Sequence, residues 1–310
     1  MIKETNKPKC ALIVFTLMIF FFNTTFGQEK PNIIFIMADD LGYADIGVYG
    51  QKLIKTPNID QLSAEGMRFT DYYSGAAVCA PARSVLMTGL HTGHTRIRGN
   101  FGKGGVVGLA GKQGRVPIKE EDLTLAEVLQ ENGYKTGMIG KWGLGEPNTS
   151  GEPNKKGFDY FYGFYNQRRA HSYYPDYIWE NTNKVKLHGN ENEQNHQYTH
   201  NLFADESVNF IDRNHQKPFF LYLPVCIPHS RYELPDNGIY THKKGWTDLQ
   251  KKYAAMVTRL DETVGRIVKR LDALGISDKT YIFFTSDNGP AEIVNDWEIF
   301  NSNGIYKGMK

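Results

Sequence analysis

The chain has 310 residues, of which 40% are hydrophobic and 13% aromatic, so one large domain or two small ones with a sizeable core are expected. Charged residues make up 23% of the chain, and the formal net charge is +2. This composition excludes a largely disordered chain and argues against a protein dedicated to binding nucleic acid.

The first 27 residues have the pattern of a secretory signal peptide. Basic residues come first, and an apolar run over residues 11–22 follows, which is too short to span a bilayer. Small residues at Thr25 and Gly27 suit cleavage before Gln28, as in exported proteins. We therefore expect the export machinery to deliver the mature protein to the periplasm or the medium, with an uncleaved membrane anchor as the alternative.

Strand and helix patterns alternate along the rest of the chain. Short apolar runs predict strands over residues 32–38, 135–139, 218–225 and 280–285. Helical spacing of apolar residues predicts helices over residues 57–65, 79–87, 123–132, 202–212 and 248–274. Strands that alternate with helices predict an α/β fold with a mostly parallel central sheet flanked by helices. The polar region 145–200 is expected to be a loop-rich insertion at the surface.

Polar side chains follow the predicted strands. Asp39 and Asp40 come after the first strand, His229 after the third, and Asp287 and Asn288 after the last. Because the carboxyl ends of parallel strands meet at one edge of a sheet, we expect these residues to converge there. The pair Asp39 and Asp40 alone would also suit a turn or a helix cap. Together their oxygen atoms favour a hard cation, Ca²⁺ before Mg²⁺.

A second chemical signal surrounds Cys79. Pro81 suits the first turn of a helix that ends near Gly89, which places Cys79 at a helix N-terminus, where free N–H groups and the dipole favour an anion. Arg83 lies one turn further on and suits an anionic oxygen. A disulfide with Cys226 or an ordinary buried cysteine are the alternatives, and the residues around Cys79 favour a chemical role instead.

Residues 79–89 resemble the signature of the type I sulfatases, which belong to the alkaline phosphatase superfamily. Other blocks match that family in the same order, namely residues 31–42, 140–142, 228–229, 286–289 and 302–310. The resemblance implies an alkaline-phosphatase-like fold in which residues 28–310 are the N-terminal portion of the catalytic domain. It also implies a C-terminal subdomain beyond the lysine motif, so we expect residues 1–310 alone to be poorly soluble or inactive.

The resemblance assigns a role to each matching residue. A formylglycine-generating enzyme would oxidise Cys79 to an aldehyde, whose hydrate attacks sulfur with one hydroxyl and expels sulfate with the other. A Ca²⁺ site is implied at Asp39, Asp40, Cys79, Asp287 and Asn288. Arg83 would steady the nucleophile, His229 would assist the leaving alcohol, and two lysines would hold sulfate oxygens, namely Lys141 and Lys310.

Two positions depart from the family pattern. Ala82 stands where serine is usual, and Gly143 stands where histidine is usual, two residues after Lys141. Expulsion of sulfate still needs a base that titrates near neutral pH, which favours histidine. His171 is the predicted base, with His94 as a second choice, and the alternative is that His171 only binds substrate hydroxyls or is merely exposed.

A soluble exported sulfatase is expected to act on sulfated saccharides. The polar, aromatic segments 91–100 and 167–174 are expected to edge the substrate pocket. Two other functions remain open at this point, a phosphate mono- or diester hydrolase of the same superfamily and a non-catalytic glycan-binding protein.

Overall fold

The computed structural model describes residues 30–100, 116–191, 194–295 and 298–310. Residues 1–31 form a unit of their own, of which only Lys30 and Pro31 are described. The predicted signal peptide therefore lies outside the described residues. The second unit, Asn32–Lys310, carries the sheet and its helices.

Seven strands form one sheet in this unit. They are β1 (Asn32–Ala38), β2 (Lys135–Lys141), β3 (Tyr160–Phe164), β4 (Tyr177–Glu180), β5 (Asn183–Lys186), β6 (Phe219–Pro224) and β7 (Thr280–Ser286). Their order in the sheet is β5-β4-β3-β2-β6-β1-β7. The pairs β3–β2, β2–β6, β6–β1 and β1–β7 are parallel. The pairs β3–β4 and β4–β5 are antiparallel and lie at one edge of the sheet. The predicted mostly parallel sheet is confirmed.

The described helices are α1 (Pro57–Ala64), α2 (Cys79–Thr88), α3 (Leu125–Glu131), α4 (Thr199–Asn214), α5 (Asp248–Leu274) and α6 (Glu292–Asn295). The bounds of α5 are those that the sequence predicts, because both ends carry strong local signals. The Thr247 hydroxyl accepts from the Gln250 N–H, and the Gln250 side chain accepts from the Thr247 N–H. Gly275 ends the helix in the left-handed conformation. Among the described residues, none of the helices combines the length and the apolar character that crossing a bilayer requires.

The core lies on both faces of the sheet. Strand β6 is buried along its whole length and alternates between the two layers. Leu221 and Leu223 pack in the larger layer, which includes residues from α4 and α5. Phe220 and Tyr222 pack in the smaller layer, with residues from α2 and α3. Helices therefore cover both faces of the central strands, as parallel sheets require.

The expectation of a loop-rich insertion over residues 145–200 is wrong. This region supplies β3, β4 and β5 to the sheet, and Tyr165 and Tyr173 within it are buried. The strands have four or five residues each, too few for their apolar pattern to stand out from a polar, aromatic sequence. They form because β3 pairs with β2 and each later strand pairs with its predecessor, which are tertiary contacts.

Candidate active site

Four parallel strands bring the predicted site residues to one edge of the sheet. Strand β2 ends at Lys141, the acidic residues and Asn288 come directly after β1 and β7, and His229 lies in the loop after β6. Helix α2 adds Cys79 and Arg83 to the cluster, and both side chains are buried. Almost every other polar group of the cluster is also buried, namely Asp39, Asp40, Lys141, His229, Asp287 and Asn288.

Asp39 contacts two basic side chains of the cluster, Lys141 and Arg83. Its Oδ2 lies 2.5 Å from Lys141 Nζ, and its Oδ1 lies 3.7 Å from an Arg83 nitrogen. Burial by itself would raise the pKa of Asp39, but Lys141, His229 and Arg83 outweigh burial and hold the pKa well below its ordinary value. Asp39 is therefore an ionised carboxylate in the interior of the protein.

Asp40 adopts a left-handed backbone conformation, with φ at 65°, which aspartate tolerates better than most residues. Its N–H donates to Asp287 Oδ1 at 3.2 Å. Its own Oδ1 accepts from Asn288 Nδ2 at 2.7 Å, and its Oδ2 lies 2.9 Å from Lys310 Nζ. These contacts join the residues after β1 to those after β7 and to the lysine at position 310.

Arg83 holds Asp287 in place. Its Nε and Nη2 donate to Asp287 Oδ2 at 3.1 and 2.8 Å, and its Nη1 donates to the Lys141 carbonyl at 2.6 Å. Burial raises the pKa of Asp287 to about 7, and the charge of Asp39 adds to the rise against the opposing effect of Arg83. The guanidinium therefore contacts acidic residues and main chain in this structure. Its predicted role in steadying the nucleophile stays a prediction.

Cys79 is the first residue of α2 and is buried. Its Sγ lies 3.4 Å from Asp39 Oδ1 and 4.0 Å from Asp40 Oδ1. Cys79 and Cys226 are both free, so the structure excludes the disulfide between them. Burial raises the pKa of the Cys79 thiol, and the neighbouring carboxylates add to the rise against the opposing effect of Lys141. Reactive cysteines have the opposite shift, so these surroundings favour the protonated thiol.

His229 and Lys310 form a pair at the edge of the cluster. Lys310 Nζ lies 2.7 Å from His229 Nε2, and His229 Nε2 lies 3.4 Å from Asp40 Oδ2. The ring of His171 stacks on that of His229 with 3.8 Å between centroids. The structure thus brings His171 against a predicted site residue, from a segment that is remote in sequence. His94, the second choice for the base, is exposed and packs its ring against His91.

The pKa of His171 is lowered below the neutral range expected from the sequence, whereas its role as the base stays a prediction. Burial lowers the pKa of His171 to about 2, and the positive charge of Lys141 adds to the decrease. The imidazole is therefore neutral, and its buried Nε2 has no hydrogen-bond partner among the described residues. Sequence reasoning placed His171 near the site but did not account for the desolvation of its ring.

Gln167 begins the segment 167–174 that was expected to edge the pocket, but the sequence assigned it no role of its own. It is buried, and a Cβ atom placed on Gly143 would lie 2.4 Å from Gln167 Nε2. Gly143 also has a left-handed φ of 80°, which favours glycine. A side chain at position 143 therefore conflicts with the placement of Gln167. The sequence signal for this placement was Gly143 itself, because a glycine leaves space for a neighbouring side chain beside the end of β2.

The cluster suits a hard cation. One ligand atom each from Asp39, Asp40, Cys79 and His229 lie within 4.8 Å of one another. In addition, Asn288 Oδ1 is buried without a hydrogen-bond partner among the described residues, and a buried amide oxygen normally has one. Carboxylate oxygens with an amide oxygen are the donors that Ca²⁺ and Mg²⁺ prefer. The group that could hold a metal therefore contains three of the five predicted ligands, Asp39, Asp40 and Cys79, together with His229. Asp287 and Asn288 stay predicted ligands.

Comparison with known proteins places this geometry in context. A model of the sulfatase family matches residues 31–302. An arylsulfatase of Hemicentrotus pulcherrimus is 36% identical over 279 residues, covering 84% of this chain and 47% of that protein. The N-acetylgalactosamine-6-sulfatase of Canis lupus familiaris is 32% identical over 285 residues, covering 86% and 51%. The chain therefore spans about half the length of the curated relatives it matches.

Solved structures show the same similarity. Ps i-CgsB in complex with k-i-k-neocarrahexaose aligns with a TM-score of 0.74 and 33% identity, over 90% of this chain and 61% of that chain. A phosphonate monoester hydrolase of Agrobacterium radiobacter aligns with a TM-score of 0.59 and 18% identity. At that low identity, the second similarity concerns the fold alone.

Proposed function

Because the chain belongs to the sulfatase family, we propose that its polar cluster hydrolyses sulfate esters. The observation that carries this proposal is the position of Cys79, at the start of α2 and 3.4 Å from the Asp39 carboxylate. Cys79 is part of the family signature, and it lies in the cluster that also contains Lys141 and Lys310. Sulfate esters carry negative charge, and two ammonium groups at the same site oppose that charge.

Two groups complete the site in this proposal. Formylglycine, formed from Cys79, supplies a hydrated aldehyde as nucleophile in place of the protonated thiol. Ca²⁺ would supply positive charge for the sulfate oxygens, and the residues that would hold it are Asp39, Asp40, Asp287, Asn288 and the modified residue 79. A formylglycine-generating enzyme and the export machinery are the partners that this maturation requires.

The remaining residues orient and neutralise the ester. The ammonium groups of Lys141 and Lys310 form ion pairs with Asp39 and Asp40, respectively. They are the proposed partners of the sulfate oxygens. For Lys141, burial would lower the pKa, but Asp39 raises it above the ordinary value, so the charge persists in the interior. His229, next to Lys310, is the proposed proton donor to the leaving alcohol.

The proposed substrates are sulfated saccharides, and the site is proposed to work in an exported protein. Relatives and neighbours support the substrate class, since one is named N-acetylgalactosamine-6-sulfatase and another was solved with a neocarrahexaose. A panel of saccharides with single, defined sulfate groups would identify the sulfate position on which the chain acts.

Parallel release assays test the reaction class. The full-length protein, co-expressed with a formylglycine-generating enzyme, should release sulfate from 4-nitrophenyl sulfate far faster than phosphate from 4-nitrophenyl phosphate. Preferential phosphate release would replace the proposal with a phosphoesterase of the same superfamily. Saccharide binding without release of either anion would indicate a binding protein.

We expect His171→Ala to interrupt the reaction after alcohol release. The neutral His171 ring stacks on His229, and its Nε2, which has no hydrogen-bond partner among the described residues, suits a proton acceptor during sulfate expulsion. Burial and the Lys141 charge lower the pKa of His171, and a bound anionic ester opposes the second of these effects. Rapid mixing with an activated aryl sulfate should therefore give a burst of about one alcohol per active site, followed by slow sulfate release.

His94→Ala is the comparison variant, since His94 is exposed and was the second choice for the base. It should turn over without a burst. If His171→Ala keeps normal turnover on the aryl ester and fails only on saccharides, then His171 binds substrate and is not the base.

A further inference from the structure

Tyr173 packs against the loop that carries His229. The tyrosine is fully buried, and its hydroxyl lies 2.9 Å from the Cys226 carbonyl oxygen and 2.7 Å from the His229 carbonyl oxygen. Burial raises the pKa of this phenol well above its ordinary value, so the hydroxyl keeps its proton and donates it. A single hydroxyl hydrogen is therefore shared between two main-chain carbonyl groups.

These two carbonyl groups lie at the two ends of one turn. The His229 N–H donates to the Cys226 carbonyl at 3.2 Å, so residues 226–229 close into a tight loop directly after β6. The His229 ring is fixed at its other side, because Nδ1 lies 3.0 Å from the Ser230 carbonyl. With that contact made, His229 Nε2 faces Lys310 at 2.7 Å. The placement of Nε2 thus depends on the main chain that Tyr173 holds.

We propose that Tyr173 is a positioning residue for proton donation to the leaving alcohol. This inference rests on the function proposed above for His229. As the sulfur–oxygen bond breaks, its electron pair stays on the alcohol oxygen, and the proton that the Lys310 ammonium shares with His229 Nε2 moves to that oxygen. The sulfuryl group passes to the nucleophile at position 79. Tyr173 touches none of the reacting atoms and acts by fixing the main chain of His229.

Tyr198 provides a matched control. It is also buried, and its ring centroid lies 5.7 Å from that of Tyr173 in the same aromatic cluster. Its hydroxyl, however, has no hydrogen-bond partner among the described residues. Tyr198→Phe therefore removes a hydroxyl of the same size from the same surroundings without breaking a hydrogen bond to the His229 loop.

The test is the leaving-group dependence of kcat/KM in the full-length protein. Wild type, Tyr173→Phe and Tyr198→Phe are assayed on aryl sulfates whose phenols cover a wide range of pKa. A poor leaving group needs a proton in the transition state, and a good one needs little help. Tyr173→Phe should lose about fivefold on unsubstituted phenyl sulfate, which is the value of one ordinary hydrogen bond. It should change little on 4-nitrophenyl sulfate, and kcat should change more than KM.

The quantity compared is the slope of log kcat/KM against the pKa of the leaving phenol. This slope separates positioning from stability, because a lower folded fraction reduces the rate on every ester by the same factor. Tyr198→Phe should keep the wild-type slope. An equal loss on all esters with Tyr173→Phe, or an unchanged slope, would overturn the proposal. His229→Ala separates the role proposed for Tyr173 from the role proposed for His229. If His229→Ala steepens the slope and Tyr173→Phe does not, only Tyr173 is wrongly assigned; if His229→Ala leaves the slope unchanged, the role proposed for His229 fails as well.

Discussion

Replacing Cys79 with alanine is expected to abolish turnover, with a loss on the order of 10⁴-fold or more, as for other removed nucleophiles. Alanine cannot be converted to formylglycine, and it leaves the acidic and basic groups of the cluster without a nucleophile. Cys79→Ser should behave differently. A serine hydroxyl can attack sulfur, but it has no second hydroxyl with which to expel sulfate, so it should release at most one alcohol per site.

Peptide mass spectrometry checks the same prediction chemically. In active protein, the peptide with Cys79 should have lost its thiol and carry an aldehyde or its hydrate. Cys226 is an internal control, because it is also a buried free cysteine and should be alkylated normally after unfolding. An intact Cys79 thiol in fully active protein would contradict the assignment. So would unchanged turnover in Cys79→Ala.

Removing the metal ion is expected to have the second largest effect. The acidic residues that follow β1 and β7 are buried together, and burial with the charge of Asp39 already raises the pKa of Asp287 to about 7. A cation relieves that repulsion and binds the folded chain better than the unfolded one. Chelation should therefore suppress sulfate release, and Ca²⁺ should restore it more fully than Mg²⁺.

Thermal unfolding gives a measurement that does not depend on turnover. Free Ca²⁺ at 100 times its Kd should stabilise the protein by about 2.7 kcal/mol. Asp40→Asn should remove most of this gain. Asp205→Asn makes the same chemical change on an exposed carboxylate, which pairs with Arg266 at the surface, and should keep the gain. Full activity in metal-free protein would rule out a required cation.

The lysines connect these two predictions. In this structure Lys141 and Lys310 contact the same carboxylates that are proposed to bind Ca²⁺. A bound cation would compete for those oxygen atoms and would leave the ammonium groups available to sulfate oxygens. Asp39 and Asp40 therefore link the proposed metal site to the lysines proposed to bind sulfate, and loss of the ion should weaken substrate binding as well as the chemical step.

The sequence by itself determined the parts of this protein that depend on local pattern. Helix α5 was predictable because its cap residues and apolar spacing lie within the helix and its ends. The buried strands β1 and β6 were predictable because strands covered on both faces form continuous apolar runs. The convergence of Asp39, His229 and Asp287 also followed from sequence, since parallel strands place their carboxyl ends at one edge.

Tertiary structure alone decided the features that depend on contacts between remote segments. Strands β3 to β5 exist through pairing, and their short sequences carry little periodic signal. Gln167 occupies the space beside Gly143, and the Tyr173 hydroxyl joins the Cys226 and His229 carbonyls. None of these contacts has a local pattern. Sequence identifies residue types and their order along the chain, whereas burial, partners and pKa shifts arise only when distant residues meet in the folded interior.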